Sequence, residues 1–178
     1  IRRQRQMCIR DRSLWNDDKR YIDNYWSVIK DYWVHGDLAS RDADGHWYLH
    51  GRSDDTIKVS GKRIGPSELE SVIVKSGKAK EVAAVGIPDE NKGSKIILSI
   101  VPAENNDQKE SFFEDLVIKD LGKSFKPDKV IFVKDLPKTR NMKIMRRVIK
   151  SCLANQDPGD LSTLLNPESV EEIRSHAI

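Results

Sequence analysis

The sequence predicts a small α+β domain, a β-hairpin and a three-stranded sheet packed by helices, preceded by residues that look like the end of something larger. Three observations predict it. From Asp54 onward the order of patterns is hairpin, helix, strand, strand, helix, strand, helix. Gly and Pro punctuate nearly every boundary. Residues before Asp54 are rich in Trp and Tyr but carry too few aliphatic partners to close a core of their own.

Each element has a local reason. Tyr21, Ile22, Tyr25, Trp26 and Ile29 recur at helical spacing, which predicts a short helix that Gly36-Asp37 breaks. Asp44-Gly45 is a hairpin turn between two extended runs, the second being His46 to His50. Thr56 to Val59 alternates like a strand, Ser60-Gly61 turns it, and Lys62 to Ile64 returns. Gly65-Pro66 then opens a helix with Pro in its first turn. Glu68 and Glu70 suit its positive end, Lys75 its negative end, and Gly77 its stop. Leu69, Val72 and Ile73 are its buried stripe. Val82 to Ile87 and Ile96 to Val101 read as strands ended by Pro88 and Pro102. After a polar loop over 103–108, Phe112, Phe113, Leu116, Val117 and Leu121 make a second amphipathic helix stopped near Gly122. Val130 to Val133 is a third strand, Arg146 to Leu153 a final helix, and a short helix follows Pro167 in the tail.

Composition excludes several classes. No apolar run is long enough to span a bilayer, and no secretory leader is evident, so a cytoplasmic setting is expected. The formal charge of +3 is misplaced for a nucleic-acid surface. Residues 1–12 hold five Arg and one Asp, which leaves the other 166 residues at net −1. That basic segment reads as a non-native tag and is set aside, Cys8 with it. Cys152 then reads as a core filler, and no cysteine–histidine spacing suggests a metal.

Three motifs fall in a fixed order. The first is His35-Gly36-Asp37, and the second runs from Gly51-Arg52-Ser53-Asp54 through Ser60-Gly61-Lys62-Arg63 to Glu70. The third, Pro137 to Arg147, packs five cations into eleven residues around Lys143. Alone, such a run is a solvated helix face, and Arg146 and Arg147 are read that way. Together with the tail phrase Gly159 to Leu164, the motifs resemble the C-terminal part of the adenylate-forming enzymes. Within that superfamily they are most similar to AMP-forming acetyl-CoA synthetases and their short-chain relatives.

The resemblance implies a domain plan and a set of roles. Residues 13–53 would end the large adenylation domain, and residues 54–178 would form the C-terminal AMP-binding lid. Asp37 would hold the ribose hydroxyls of ATP, and Arg52 and Arg63 would contact the nucleotide. Asp54 would be the hinge, and the Ser60-Gly61 turn would flank CoA. Lys143 would reach the carboxylate substrate and the α-phosphate during adenylation. The family usually has Thr before Gly-Asp; His35 is expected to matter little to the carboxylate. It usually has Ser-Gly before the lysine; here Asn141-Met142 stand instead, and Asn141 is expected to absorb any unusual backbone angle.

The implied reaction joins acetate or another short-chain acid to CoA at the expense of Mg-ATP, releasing AMP and pyrophosphate. No tightly bound cofactor, nucleic acid or membrane partner is expected. As a C-terminal fragment the chain is expected to be inactive without the large domain, and Lys143 is a candidate for acetylation by a lysine acetyltransferase and reversal by a deacetylase. The alternatives are an adenylation domain that loads a carrier protein and a stand-alone basic binding module.

Overall fold

The computed structural model describes residues 13–104 and 107–178. The tag and Cys8 lie outside the described residues, as do Asn105 and Asn106 of the polar loop. The chain divides into two compact units after Asp37.

In the first unit a single helical turn, α1 (Asp18–Tyr21), runs into a π-helical turn over Ile22–Trp26. Asp17 caps α1 by accepting the Arg20 N–H. The predicted helix is thus shorter and wider-wound than a regular one. Ile22, Val28, Ile29 and Tyr32 remain exposed. The unit's order comes from ring contacts, with Tyr25 stacked on Trp33 at 5.3 Å. The scarcity of aliphatic partners read from the sequence is therefore visible as uncovered apolar surface.

The second unit holds the rest. Strands β1 (Asp37–Arg41) and β2 (Trp47–Arg52) form a two-stranded ribbon, and β3 (Ile57–Val59) pairs antiparallel with β4 (Lys62–Ile64). A three-stranded sheet follows, in the order β5 (Ala79–Asp89), β6 (Gly93–Pro102), β7 (Lys129–Phe132). Helix α2 (Pro66–Lys75) precedes it, and α3 (Glu110–Leu121) carries the chain from β6 to β7. That crossover makes β6 and β7 parallel, whereas β5 and β6 are antiparallel. Helices α4 (Arg146–Leu153) and α5 (Glu168–Arg174) close the unit.

The sheet is covered on both faces because its strands alternate two apolar sets. Val82, Ala84, Ile96, Leu98 and Ile100 point to one core with Leu69 and Ile73 of α2, Phe113 and Val117 of α3, and Ile57, Val59 and Ile64 of the β3–β4 hairpin. Ala83, Val85, Ile87, Ile97 and Val101 point to a second core with Val148, Ile149, Cys152 and Leu153 of α4 and Val170 and Ile173 of α5. Cys152 is fully buried, as the sequence suggested, and burial pushes its thiol pKa up. The β3–β4 hairpin lies so close to β5 that a Cβ on Gly86 would sit 2.8 Å from Ile57 Cγ2.

One strand end differs from expectation. Pro102 is the last residue of β6, in line with its reading as a stop, whereas Pro88 lies inside β5, opposite Ser94, and the strand runs on to Asp89. β5 is an edge strand, so Pro88 sacrifices no ladder bond on its open side. Pro102 lies beyond the stretch of β6 that β7 covers, residues 97–100. No helix among the described residues is long and apolar enough to cross a membrane.

Candidate functional site

The lysine segment forms a tight loop in which Thr139 makes three hydrogen bonds. The Thr139 N–H donates to the Lys143 carbonyl at 2.9 Å, and its own carbonyl accepts the Met142 N–H at 2.8 Å. Its hydroxyl oxygen accepts the Lys143 N–H at 3.2 Å. A bridge between Lys138 and Ile144 closes the loop base. Closing so short a loop needs a left-handed residue, and Met142 supplies it with φ +61°. Asn141 does not, contrary to the expectation above; the left-handed position is the one where the resemblance implies glycine. Lys143 stands exposed on this loop, in a shallow recess with Thr139, Arg140, Asn141 and Thr163.

Two further cations of the run are withdrawn from solvent, Lys138 almost wholly and Arg146 in part. Lys138 is 6% exposed. Its Nζ donates to Asp135 Oδ1 at 2.7 Å and lies 2.6 Å from Glu81 Oε2. Burial disfavours its charge, but the Asp135 and Glu81 carboxylates outweigh that and hold its pKa above the ordinary lysine value. Arg146 makes a two-pronged pair with Glu70 of α2, Nε to Oε1 at 2.9 Å and Nη2 to Oε2 at 2.7 Å. Glu70 Oε1 also accepts the Ala84 N–H of β5 at 3.0 Å. The reading of Arg146 as helix surface is therefore wrong. Arg146, Ile149 and Leu153 lie at i, i+3, i+7, one helical face, and that spacing was the available signal. Arg147 likewise is tied down, donating to the Pro158 and Asp160 carbonyls.

The second motif surrounds the β3–β4 hairpin. Ser60 and Gly61 have φ +50° and +79°, the paired left-handed angles of a two-residue hairpin turn. The Ser60 N–H donates to the Lys92 carbonyl at 2.8 Å, which ties the tip to the β5–β6 turn. Arg63 faces solvent on β4, opposite Lys58. Arg52 ends β2 and pairs with Asp54, Nε to Oδ1 at 3.1 Å. That guanidinium is the main reason the Asp54 carboxyl titrates below its ordinary value. Asp54 and Asp55 lie in a recess with Ala84, Val85 and Gly86, the middle of β5.

Distances along β5 relate these parts. The lysine loop is anchored at Glu81, near the start of the strand, and the Ser60-Gly61 tip at the turn after Asp89. At about 3.4 Å per residue the stretch of β5 between the two anchors, Glu81 to Asp89, is roughly 27 Å long. Asp54 sits between them. The structure thus brings Arg52 to Asp54, and keeps Lys143 away from Ser60-Gly61.

Asp37 belongs to the first unit. Its Oδ2 lies 2.5 Å from His35 Nδ1, and the His35 ring leans on Trp33 at 5.5 Å. The expectation that His35 matters little to this carboxylate is corrected by that contact: the imidazole touches it directly.

Known proteins share this sequence and fold. Residues 68–143 match the model of the AMP-binding enzyme C-terminal domain. Acetyl-coenzyme A synthetase of Methanothrix thermoacetophila is 43% identical over 169 residues, which is 91% of this chain and 26% of that protein. Propionate–CoA ligase of Escherichia coli is 36% identical over 176 residues, 94% of this chain and 28% of that protein. Among solved structures, acetoacetyl-CoA synthetase from Streptomyces lividans superposes with a TM-score of 0.77 over 89% of this chain and 24% of that one, at 21% identity. The amide bond synthetase McbA from Marinactinospora thermotolerans superposes with a TM-score of 0.66 over 76% of this chain and 27% of that one, at 28% identity. The chain spans about a quarter of the length of the curated relatives it matches. It belongs to the AMP-binding enzymes, and residues 68–143 are their C-terminal domain.

Proposed function

We propose that the chain is the lid of an AMP-forming short-chain acyl-CoA synthetase, a cytoplasmic acid–thiol ligase whose substrates are a carboxylate, Mg-ATP and CoA. In the first half-reaction a carboxylate oxygen attacks the α-phosphorus and pyrophosphate leaves. Lys143 presents an ammonium to the oxygens that gather charge there, a compact point charge suited to that role. In the second, the CoA thiol attacks the acyl carbon and AMP leaves, with the Ser60-Gly61 turn beside the thiol arm. Arg52, Arg63 and Asp37 hold the nucleotide, and Asp54 is the hinge.

The observation that carries this reading is the placement of the two tips at opposite ends of one sheet, with Asp54 between them. A rigid body built that way can present one tip or the other to a single reacting centre, but not both. Rotation about Asp54 then serves two half-reactions with one domain. Residues 38–53 and the aromatic segment before them belong, in this reading, to the large adenylation domain. The Arg52–Asp54 pair is the contact such a rotation would break. Acetylation of Lys143 would erase its charge and stop adenylation.

The test separates the half-reactions in the full-length enzyme. Lys143→Ala should lower acyl-adenylate formation by about 10²-fold or more, as removal of a charge stabiliser does, and should leave thioester formation from preformed acyl-adenylate largely intact. Equal loss of both would sink the role of Lys143.

A further inference from the structure

We propose that Asn166 is a positioning residue for Lys143, and that the segment it ends, residues 161–166, braces the adenylation loop from outside. The proposal rests on Lys143 acting in adenylation. It starts from a polar side chain that is 7% exposed and uses three of its hydrogen-bonding positions. Asn166 Nδ2 donates to Asp135 Oδ2 at 2.8 Å and to the Leu136 carbonyl at 2.8 Å. Its Oδ1 accepts the Lys138 N–H at 3.0 Å. Chemistry fixes this orientation: a reversed amide would set its oxygen against a carboxylate and a carbonyl, and its NH2 against an N–H.

The neighbouring backbone extends the contact. The Leu165 N–H donates to the Lys138 carbonyl at 2.8 Å, the Arg140 N–H donates to the Thr163 carbonyl at 3.3 Å, and Thr139 bridges Leu164. Residues 163–165 therefore lie along 138–140 as an added strand. Lys138 is thereby held at its N–H by Asn166, at its carbonyl by Leu165 and at its ammonium by Asp135 and Glu81. The next residue, Thr139, makes three of the hydrogen bonds that shape the loop around Lys143, two of them to Lys143 itself. The path runs from Asn166 to Lys138, to Thr139, to Lys143, each step a named hydrogen bond or peptide bond. Arg147 anchors the start of the same tail through the Pro158 and Asp160 carbonyls. Lys143 gains from this because its Cα is fixed while its long side chain stays exposed and able to reach. Misplacing a reacting group by about 1 Å costs on the order of 10²-fold in rate.

The test reads loop order and chemistry separately. In Asn166→Ala, amide exchange at Thr139, Met142 and Lys143 should rise about tenfold, the loss of roughly one hydrogen bond, with Leu98 in the sheet unchanged. In the full-length enzyme the same variant should lower adenylate formation by between about tenfold and 10²-fold, with thioester formation from preformed acyl-adenylate spared. If Asn166→Ala does not fold, Thr139→Val supplies the readout. It removes the acceptor of the Lys143 N–H while leaving the Asn166 contacts in place, and the same split is expected. Unchanged loop exchange, or equal loss of both half-reactions, overturns the bracing role. If Lys143→Ala itself retains adenylation, the assignment of Lys143 fails and the brace is purely structural.

Discussion

Met142 carries a cost that the related enzymes avoid. A left-handed backbone costs a non-glycine residue about 1–2 kcal/mol, and glycine's extra freedom in the unfolded chain returns about 0.5–1 of that. Met142→Gly should accordingly stabilise the chain by about 1 kcal/mol in urea unfolding, since the Met142 side chain is exposed and little packing is lost. A destabilised variant would show that the methionine side chain contributes contacts that outweigh the strain. At this scale the sequence was readable for the exposure of Lys143 on a loop, and unreadable for most partners. Lys138 and Asn166 carry no local mark, because burial of a cation is decided by Glu81, far away in sequence, and by Asp135. His35 touches both Asp37 of its own motif and the Trp33 ring outside it, and the motif alone does not announce those contacts.

The elements were legible wherever a boundary has a local cause. The start of α2 at Pro66 and the run of α4 from Arg146 to Leu153 agree with the caps and apolar spacing. The end of β5 was not, because Pro88 is tolerated inside it only through the strand's place at the sheet edge. Between elements, the Arg146–Glu70 pair joins α4 to α2 and, through Ala84, to β5. Arg146→Met keeps the side-chain bulk and leaves Glu70 as a half-buried carboxylate without its cation. Loss of about 2–3 kcal/mol is expected from chemical denaturation, the range for a charged hydrogen-bonded pair. Arg146→Lys should recover less than half, since an ammonium cannot span both oxygens. A loss under about 0.5 kcal/mol, typical of an exposed pair, would contradict the burial.

For the molecule as a whole, charge sets a plateau of stability against pH. Asp54, Asp89, Asp135 and Asp160 all titrate below the ordinary carboxylate value in the fold. Their contribution is present above about pH 3.9 and disappears as pH falls through the lowered values. Lys92 and Lys138 titrate above the ordinary lysine value, so their contribution is complete below about pH 10.4 and disappears as pH rises through the elevated values. Burial also raises the Cys152 thiol, whose contribution is complete only below about pH 8.5. Thermal melting should therefore give a flat Tm between about pH 5 and 8 and a decline on both flanks; a Tm that climbs above pH 10 would contradict the lysine pairs. The two cores on either face of the sheet also differ in when they can be completed. The first has all its fully buried residues once Val130 is made, with Phe132 packing on it just after, whereas the second needs Val170 and Ile173. A ribosome adding 5–20 residues per second takes about 2–9 s to travel between those points. During that interval the nascent chain has the parts of a finished hydrophobic layer on one side and an open apolar sheet face on the other. The loop around Lys143 is stitched to residues 163–166, so a newly made molecule would complete that loop only after the parts of the first core are in hand.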